Sequence, residues 1–143
     1  MKTIALIIPM LFFFAISCKA QSQTNLYDAQ EITGVWNWQN DNGKHITEIK
    51  LNFVDSNENE LQGNYCSVFF NGSKVDCEEL ESSYCINLSR TEDNTYEGTF
   101  QSFSHGGTGT LRIIYDAIND SITLDVLTSE GVFYLPQHTT FNR

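Results

Sequence analysis

The stretch Leu61-Gln62-Gly63-Asn64-Tyr65-Cys66-Ser67-Val68-Phe69-Phe70-Asn71-Gly72-Ser73-Lys74-Val75-Asp76-Cys77 restricts the fold of this chain more than any other. Asn71-Gly72 stands between two alternating runs. A two-residue type I′ turn needs positive φ at both central positions, and Asn-Gly supplies that readily, so the dipeptide predicts a β-hairpin. In that register Phe70 faces Ser73, Val68 faces Val75 and Cys66 faces Cys77. Alternation puts Cys66, Val68, Phe70, Val75 and Cys77 on one apolar face, read as the core side. Tyr65, Ser67, Phe69, Lys74 and Asp76 share the other, mostly polar face. The thiols then lie opposite each other, about 4.5–5.5 Å apart at Cα, in the wider, hydrogen-bonded kind of pair. A Cys66–Cys77 disulfide is expected. The alternative is two buried reduced thiols acting as small hydrophobes.

A second bend at Asn42-Gly43 pairs Trp36 with Ile49, Gly34 with Leu51 and Ile32 with Phe53. Apolar meets apolar there too, so the two registers support each other. Further on, Tyr84, Ile86 and Leu88 alternate, with Cys85 expected to point away from the core. Tyr96, Gly98 and Phe100 form one face, as do Leu111, Ile113 and Tyr115, and Ile122, Leu124 and Val126. Val132 to Leu135 is a last apolar run before Pro136. No 3.6-residue pattern of helical length occurs. The fold class is all-β: a small antiparallel up-and-down barrel of about eight to nine strands.

Met1-Lys2 and the apolar residues 4–16 read as a signal peptide, too short to span a membrane comfortably. Ala15-Ile16-Ser17-Cys18 resembles the lipobox of bacterial lipoproteins, which implies cleavage before Cys18 and lipid on its sulfur. Two or more acyl chains give a stable anchor. An ordinary secretory cut after Ala20 is the alternative. The division is then 1–17 signal peptide, 18–30 lipidated cysteine and flexible tether, and 31–143 a single β-barrel domain. With Cys18 lipidated, an oxidising envelope permits one bridge and leaves Cys85 outside it. The resemblance implies a Gram-negative envelope, a membrane anchor (outer membrane expected) and a domain in the periplasm or at the cell surface.

The chain has 18 acidic and 8 basic residues, a formal net charge of −10. Losing Lys2 lowers it by one more. Nucleic-acid binding needs clustered Lys and Arg and is not expected. A basic envelope or secreted protein would be drawn in by this field.

Ile32-Thr33-Gly34-Val35-Trp36 followed by Leu61-Gln62-Gly63-Asn64-Tyr65 resembles the opening strands of calycin barrels, the lipocalin and avidin group. In that group the Gly-x-Trp tryptophan plugs one end of the barrel. The resemblance covers about the first third of the domain. Avidins line their site with several later tryptophans; here Trp36 and Trp38 are the only two, so biotin binding does not carry over. From lipobox to Tyr134-Leu135-Pro136 the pattern also looks like small uncharacterised bacterial lipoproteins.

No stretch selects a catalytic set, and no cofactor or metal is expected. Asp55-Ser56-Asn57-Glu58-Asn59 has the alternating oxygens of a calcium loop, but Glu60 stands where glycine is needed and Cys66 where the bidentate acid belongs. It reads as a solvated hairpin loop. His45, His105 and His138 lack ligand spacing and read as surface residues. His105-Gly106-Gly107-Thr108-Gly109 echoes an esterase oxyanion loop without the Gly-x-Ser-x-Gly elbow, and reads as a turn with a bulge. Two functions remain. One is a non-enzymatic envelope lipoprotein acting as a protein-binding module of inhibitor or immunity type. The other is a carrier of small apolar ligands in a calycin-like barrel cavity. Outward Phe69 and Ile114 are candidate contact residues.

Overall fold

The computed structural model describes residues 32–40, 42–77 and 83–143. The expected signal peptide, Cys18 and the tether lie outside the described residues. The strands are β1 (Gly34–Gln39), β2 (His45–Val54), β3 (Asn57–Phe69), β4 (Lys74–Cys77), β5 (Ile86–Glu92), β6 (Thr95–Gln101), β7 (Thr108–Asp116), β8 (Ser121–Glu130) and β9 (His138–Asn142). The order β2-β1-β9-β8-β7-β6-β5-β3, with β2 also paired to β3, closes eight antiparallel strands into an up-and-down barrel. The ninth, β4, continues along β3 beyond the point where β5 leaves it.

Alternate residues from every barrel strand fill the inside. Trp36, Ile49, Leu51, Ile86, Leu111, Ile113, Ile122, Leu124 and Phe141 all have zero exposure. A space wide enough for water would leave accessible surface on the side chains around it, so the centre is filled by its own residues. Each such Leu or Ile contributes about 1.5–3 kcal/mol by burial.

The two ends differ. At one, the chain reverses tightly. Asp55 and Ser56 both have positive φ (47° and 63°) between the paired residues Val54 and Asn57, which is the type I′ conformation. Asn94 (φ 60°) turns β5 into β6. Trp36 plugs this end, as its Gly-x-Trp setting implied. Its indole N–H donates to Ile32 O at 2.9 Å, and the Arg143 guanidinium sits 4.2 Å from the ring centroid. Arg143 also donates to Thr33 O and to Asp120. At the other end lie the wider connections, residues 40–45, 69–74, 102–107 and 131–137.

Both hairpin registers agree with the sequence reading: Trp36 pairs with Ile49, Gly34 with Leu51, Val68 with Val75 and Cys66 with Cys77. The bends are wider than expected. Asn40 N–H donates to His45 O, and Gly43 (φ 63°) donates back to Asn40 O. The last pair of the other hairpin is Phe69 with Lys74, across a 3-10 turn spanning Phe70–Gly72. The tight two-residue bend lies instead at Asp55-Ser56, in the segment read as a solvated loop.

The faces of β3 and β4 are the reverse of expectation. Leu61, Tyr65, Ser67 and Asp76 are buried, while Phe70 and Val75 are exposed. The cause is unbroken alternation. Tyr65 pairs with buried Ile49, and Leu61 lies in the same phase two residues beyond Gly63, the partner of buried Leu51, so Cys66 and Val68 must face out. Phe69 consequently sits on the inner side at the wide end, not outward; Ile114 is outward as expected, at 38% exposure.

The Cys66–Cys77 disulfide is present, with Cα atoms 4.0 Å apart. That is the narrower, non-hydrogen-bonded kind of pair, not the wider one. In keeping with it, the carbonyls of Val75 and Cys77 accept bonds from the His105 ring and the Ser104 hydroxyl, which caps the edge of β4. Closing an 11-residue separation, the bridge contributes about 2–3 kcal/mol on the chain-entropy account.

Cys85 is buried rather than outward, and Tyr84 is exposed. Cys85 N–H donates to Gly63 O and to the Asn64 side chain, holding this residue against β3. Residues 132–135 form a connection across the wide end; the last strand is β9, which meets β1 at Asn37 and Asn142. Gly131 (φ 78°) and Pro136 bracket that connection.

Because Ser56 holds φ 63° without being glycine, Ser56→Gly should raise stability by about 0.5–1 kcal/mol, read as a higher urea midpoint at unchanged slope.

Candidate functional site: the wide mouth of the barrel

The wide end is organised by a buried carboxylate. Asp76, 2% exposed, accepts hydrogen bonds from Tyr65 Oη (2.7 Å), Ser102 Oγ (2.7 Å) and Tyr134 N–H (2.9 Å). These donors come from β3, from the 102–107 bend and from the 131–137 connection. Three segments are therefore tied to β4 through one side chain. The lone pairs lost to water are replaced by fixed donors, which is what lets a carboxylate lie inside. Burial, then the bond to Asp76 and its negative charge, push the Tyr65 phenol far above its ordinary pKa. Ser102 Oγ also accepts from His105 N–H, so the bend is tied to the carboxylate through the same hydroxyl.

Around this anchor the rings meet in series. Trp38 packs edge-on against His45 (4.8 Å), His45 lies against Phe69, and Phe69 contacts Tyr134 (5.4 Å). His105 packs edge-on against Tyr134 (4.8 Å). The Lys74 ammonium stands 5.3 Å from the Tyr134 centroid and 6.0 Å from that of Phe70. Phe70 takes positive φ (49°), a costly conformation for a bulky residue, and is 57% exposed. Val75 on β4, and Phe103 and Val132 on the 102–107 and 131–137 connections, are exposed at the same end.

His45 is buried, not a surface residue as expected. Its Nε2 contacts Tyr134 O (3.1 Å) and Thr47 Oγ1 (3.2 Å), and a carbonyl only accepts, so Nε2 carries the proton. Thr47 in turn bonds Ser67 at 2.8 Å. Burial lowers the His45 pKa below 6.5, partly offset by the bond to Tyr134 O. A recess of about 500 Å³ opens beside it, lined by Phe69, Phe133, Tyr134 and Leu135.

The fold brings His45 and His105 both to Tyr134, His45 at its carbonyl and His105 at its ring. His138 lies elsewhere, on the outer wall against Asp125. That bond, with Arg112 beside it, holds the Asp125 carboxyl below the usual range. Cys66 and Cys77 lie on the outside, next to the mouth. Among the described residues no group of His, Cys, Asp and Glu gathers to hold a metal ion. Sequence reasoning missed Asp76, Ser102 and Tyr134. The available signal was phase: Tyr65 shares the alternation of Leu61, and Asp76 lies opposite Ser67 in the same phase. No family model, no curated protein and no solved structure matches the chain.

Asp76→Asn turns one acceptor into a donor facing donors. It should cost about 2–3 kcal/mol, seen in urea unfolding, and should speed hydrogen exchange at Tyr134 N–H more than at Ile113 N–H. For His45 the folded pKa is the lower one, so the unfolded chain binds more protons below pH 6.5. Stability should fall as pH drops from about 6.5 towards the folded pKa, no more steeply than about 1.4 kcal/mol per pH unit for one proton. His45→Gln should flatten that limb of the pH–stability curve.

Proposed function

We propose that this chain is a non-enzymatic protein-binding module of inhibitor or immunity type, tethered in the cell envelope through lipid on Cys18, and that it meets its partner at the wide mouth. One observation carries the reading. The barrel's centre is filled, while Phe70, Val75, Phe103 and Val132 stand exposed on segments braced by buried Asp76. Exposed apolar side chains on a rigid frame suit an interface, because little conformational entropy is lost on docking. Phe70 is the natural anchor, since aromatic residues dominate interface energetics. The net charge of −10 favours a basic partner by steering.

A second reading has its own support. The recess beside His45 and Phe69 is lined mainly by apolar groups and would suit a small apolar ligand at the mouth rather than at the filled centre.

Full-length protein, purified in detergent, should retain a basic protein from an envelope extract. The double variant Phe70→Ser/Val75→Ser should lose that partner by at least about tenfold in affinity, while Ile118→Ser, at an exposed site on the opposite end, should keep it. Native mass spectrometry of the same sample separates the readings. A small apolar molecule at full occupancy, or retention indifferent to the double variant, would overturn the binding module.

A further inference from the structure

On the outer wall of β5 to β8, just below the mouth, a second recess of about 560 Å³ opens between Tyr84 and Glu130. That size lies within the ~300–1,000 Å³ of small-ligand sites. Its floor is built by register. Asn87, Thr99, Thr110 and Thr128 are direct partners across four neighbouring strands. Gln101 and Thr108 form the next row on the same face, ending in Glu130. Strands lie about 4.8 Å apart and same-face residues about 6.5–7 Å apart, so the floor is a regular lattice of hydroxyl and amide groups.

The chemistry of this lattice is selective. Among the described residues lining it, Glu130 is the one that carries a charged side chain, in a chain with 18 acids and 8 bases. Among those described residues an anion would find no cation, and a metal ion would find a single carboxylate. An apolar ligand would strip water from hydroxyls and amides without replacing its hydrogen bonds. Thr110 and Thr128 bond each other at 2.7 Å with either hydroxyl donating, so the accepting one keeps its own O–H to donate. The side chains of Thr99, Gln101 and Thr108 make no hydrogen bond among the described residues and retain their full donor and acceptor capacity. Tyr84, 41% exposed, supplies an aromatic wall. Uncharged donors and acceptors at ring-sized spacing beside an aromatic face are what a pyranose presents a match to: hydroxyls on its edge, C–H groups on its face.

We infer that this recess is a binding site for a neutral oligosaccharide, on the outer wall rather than on the apolar rim of the mouth. Tyr84 stacks against a sugar face, Thr99 and Gln101 bond its hydroxyls, and the Thr110–Thr128 pair offers one further O–H donor. Contacts of this kind give weak affinity, with Kd of about 1 mM.

Saturation-transfer difference NMR reads such affinities from the ligand side and works on the full chain in detergent. The probes are cellotriose, chitotriose and maltotriose, with tetragalacturonate as an anionic counterpart. At least one neutral probe should give transfer above a detergent blank, with tetragalacturonate giving none. Thr99→Val, which removes one hydroxyl at constant shape, and Tyr84→Ala should each cut the signal at least twofold at an unchanged melting temperature. Phe70→Ser at the mouth should leave it intact. No transfer to any neutral probe, an equal signal with tetragalacturonate, or a signal indifferent to Thr99→Val and Tyr84→Ala would overturn the inference.

Discussion

A sheet that closes on itself has one inside, and every strand must agree about which residues face it. That constraint settles the rest of this structure. Trp36, Ile49, Leu51 and Leu61 fix the phase of β1, β2 and the start of β3, and the pairing then carries it from strand to strand. Phase is a property of the whole ring, because a slip of one residue would turn out an entire set of core side chains. Polarity on one short hairpin has little weight against it. Val68 and Val75 accept an outward position at modest cost, while burying Leu61, Tyr65 and Leu88 together stabilises by several kcal/mol.

The same constraint pushes Asp76 inward, and the polar interior at the mouth follows. A buried carboxylate without partners would be prohibitive. Here two of the three donors come from segments that pack no large apolar core of their own. The 102–107 bend and the 131–137 connection are held by bonds to Asp76, by Gly106 and Gly107 backbone bonds, and by rings packed on Tyr134. The opposite end is sealed by Trp36 under Arg143 and by tight bends. One end thus carries the closing contacts, and the other is free to present side chains outward. The outer wall of β5 to β8 is set by phase too: once Phe100 and Leu111 point in, Asn87, Thr99 and Thr110 line up outside, and the bulge between Val126 and Thr128 turns Thr128 out to join them.

Much of this was legible in the chain as text. Period-2 alternation with turn residues at short spacing specifies a meander of strands, since no helical periodicity competes. Apolar matching across Asn42-Gly43 and Asn71-Gly72 specifies both registers, and the second register places Cys66 beside Cys77. Those are local facts, fixed within some twenty residues of chain. What only the tertiary structure decided was which face of β3 and β4 is the inside, where Cys85 and Phe69 point, and that His45, Asp76, Ser102 and Tyr134 share one mouth. Residues up to 89 positions apart meet there, as His45 and Tyr134 do. Such meetings depend on how eight strands close, and ring closure is a global condition that no local window of sequence contains.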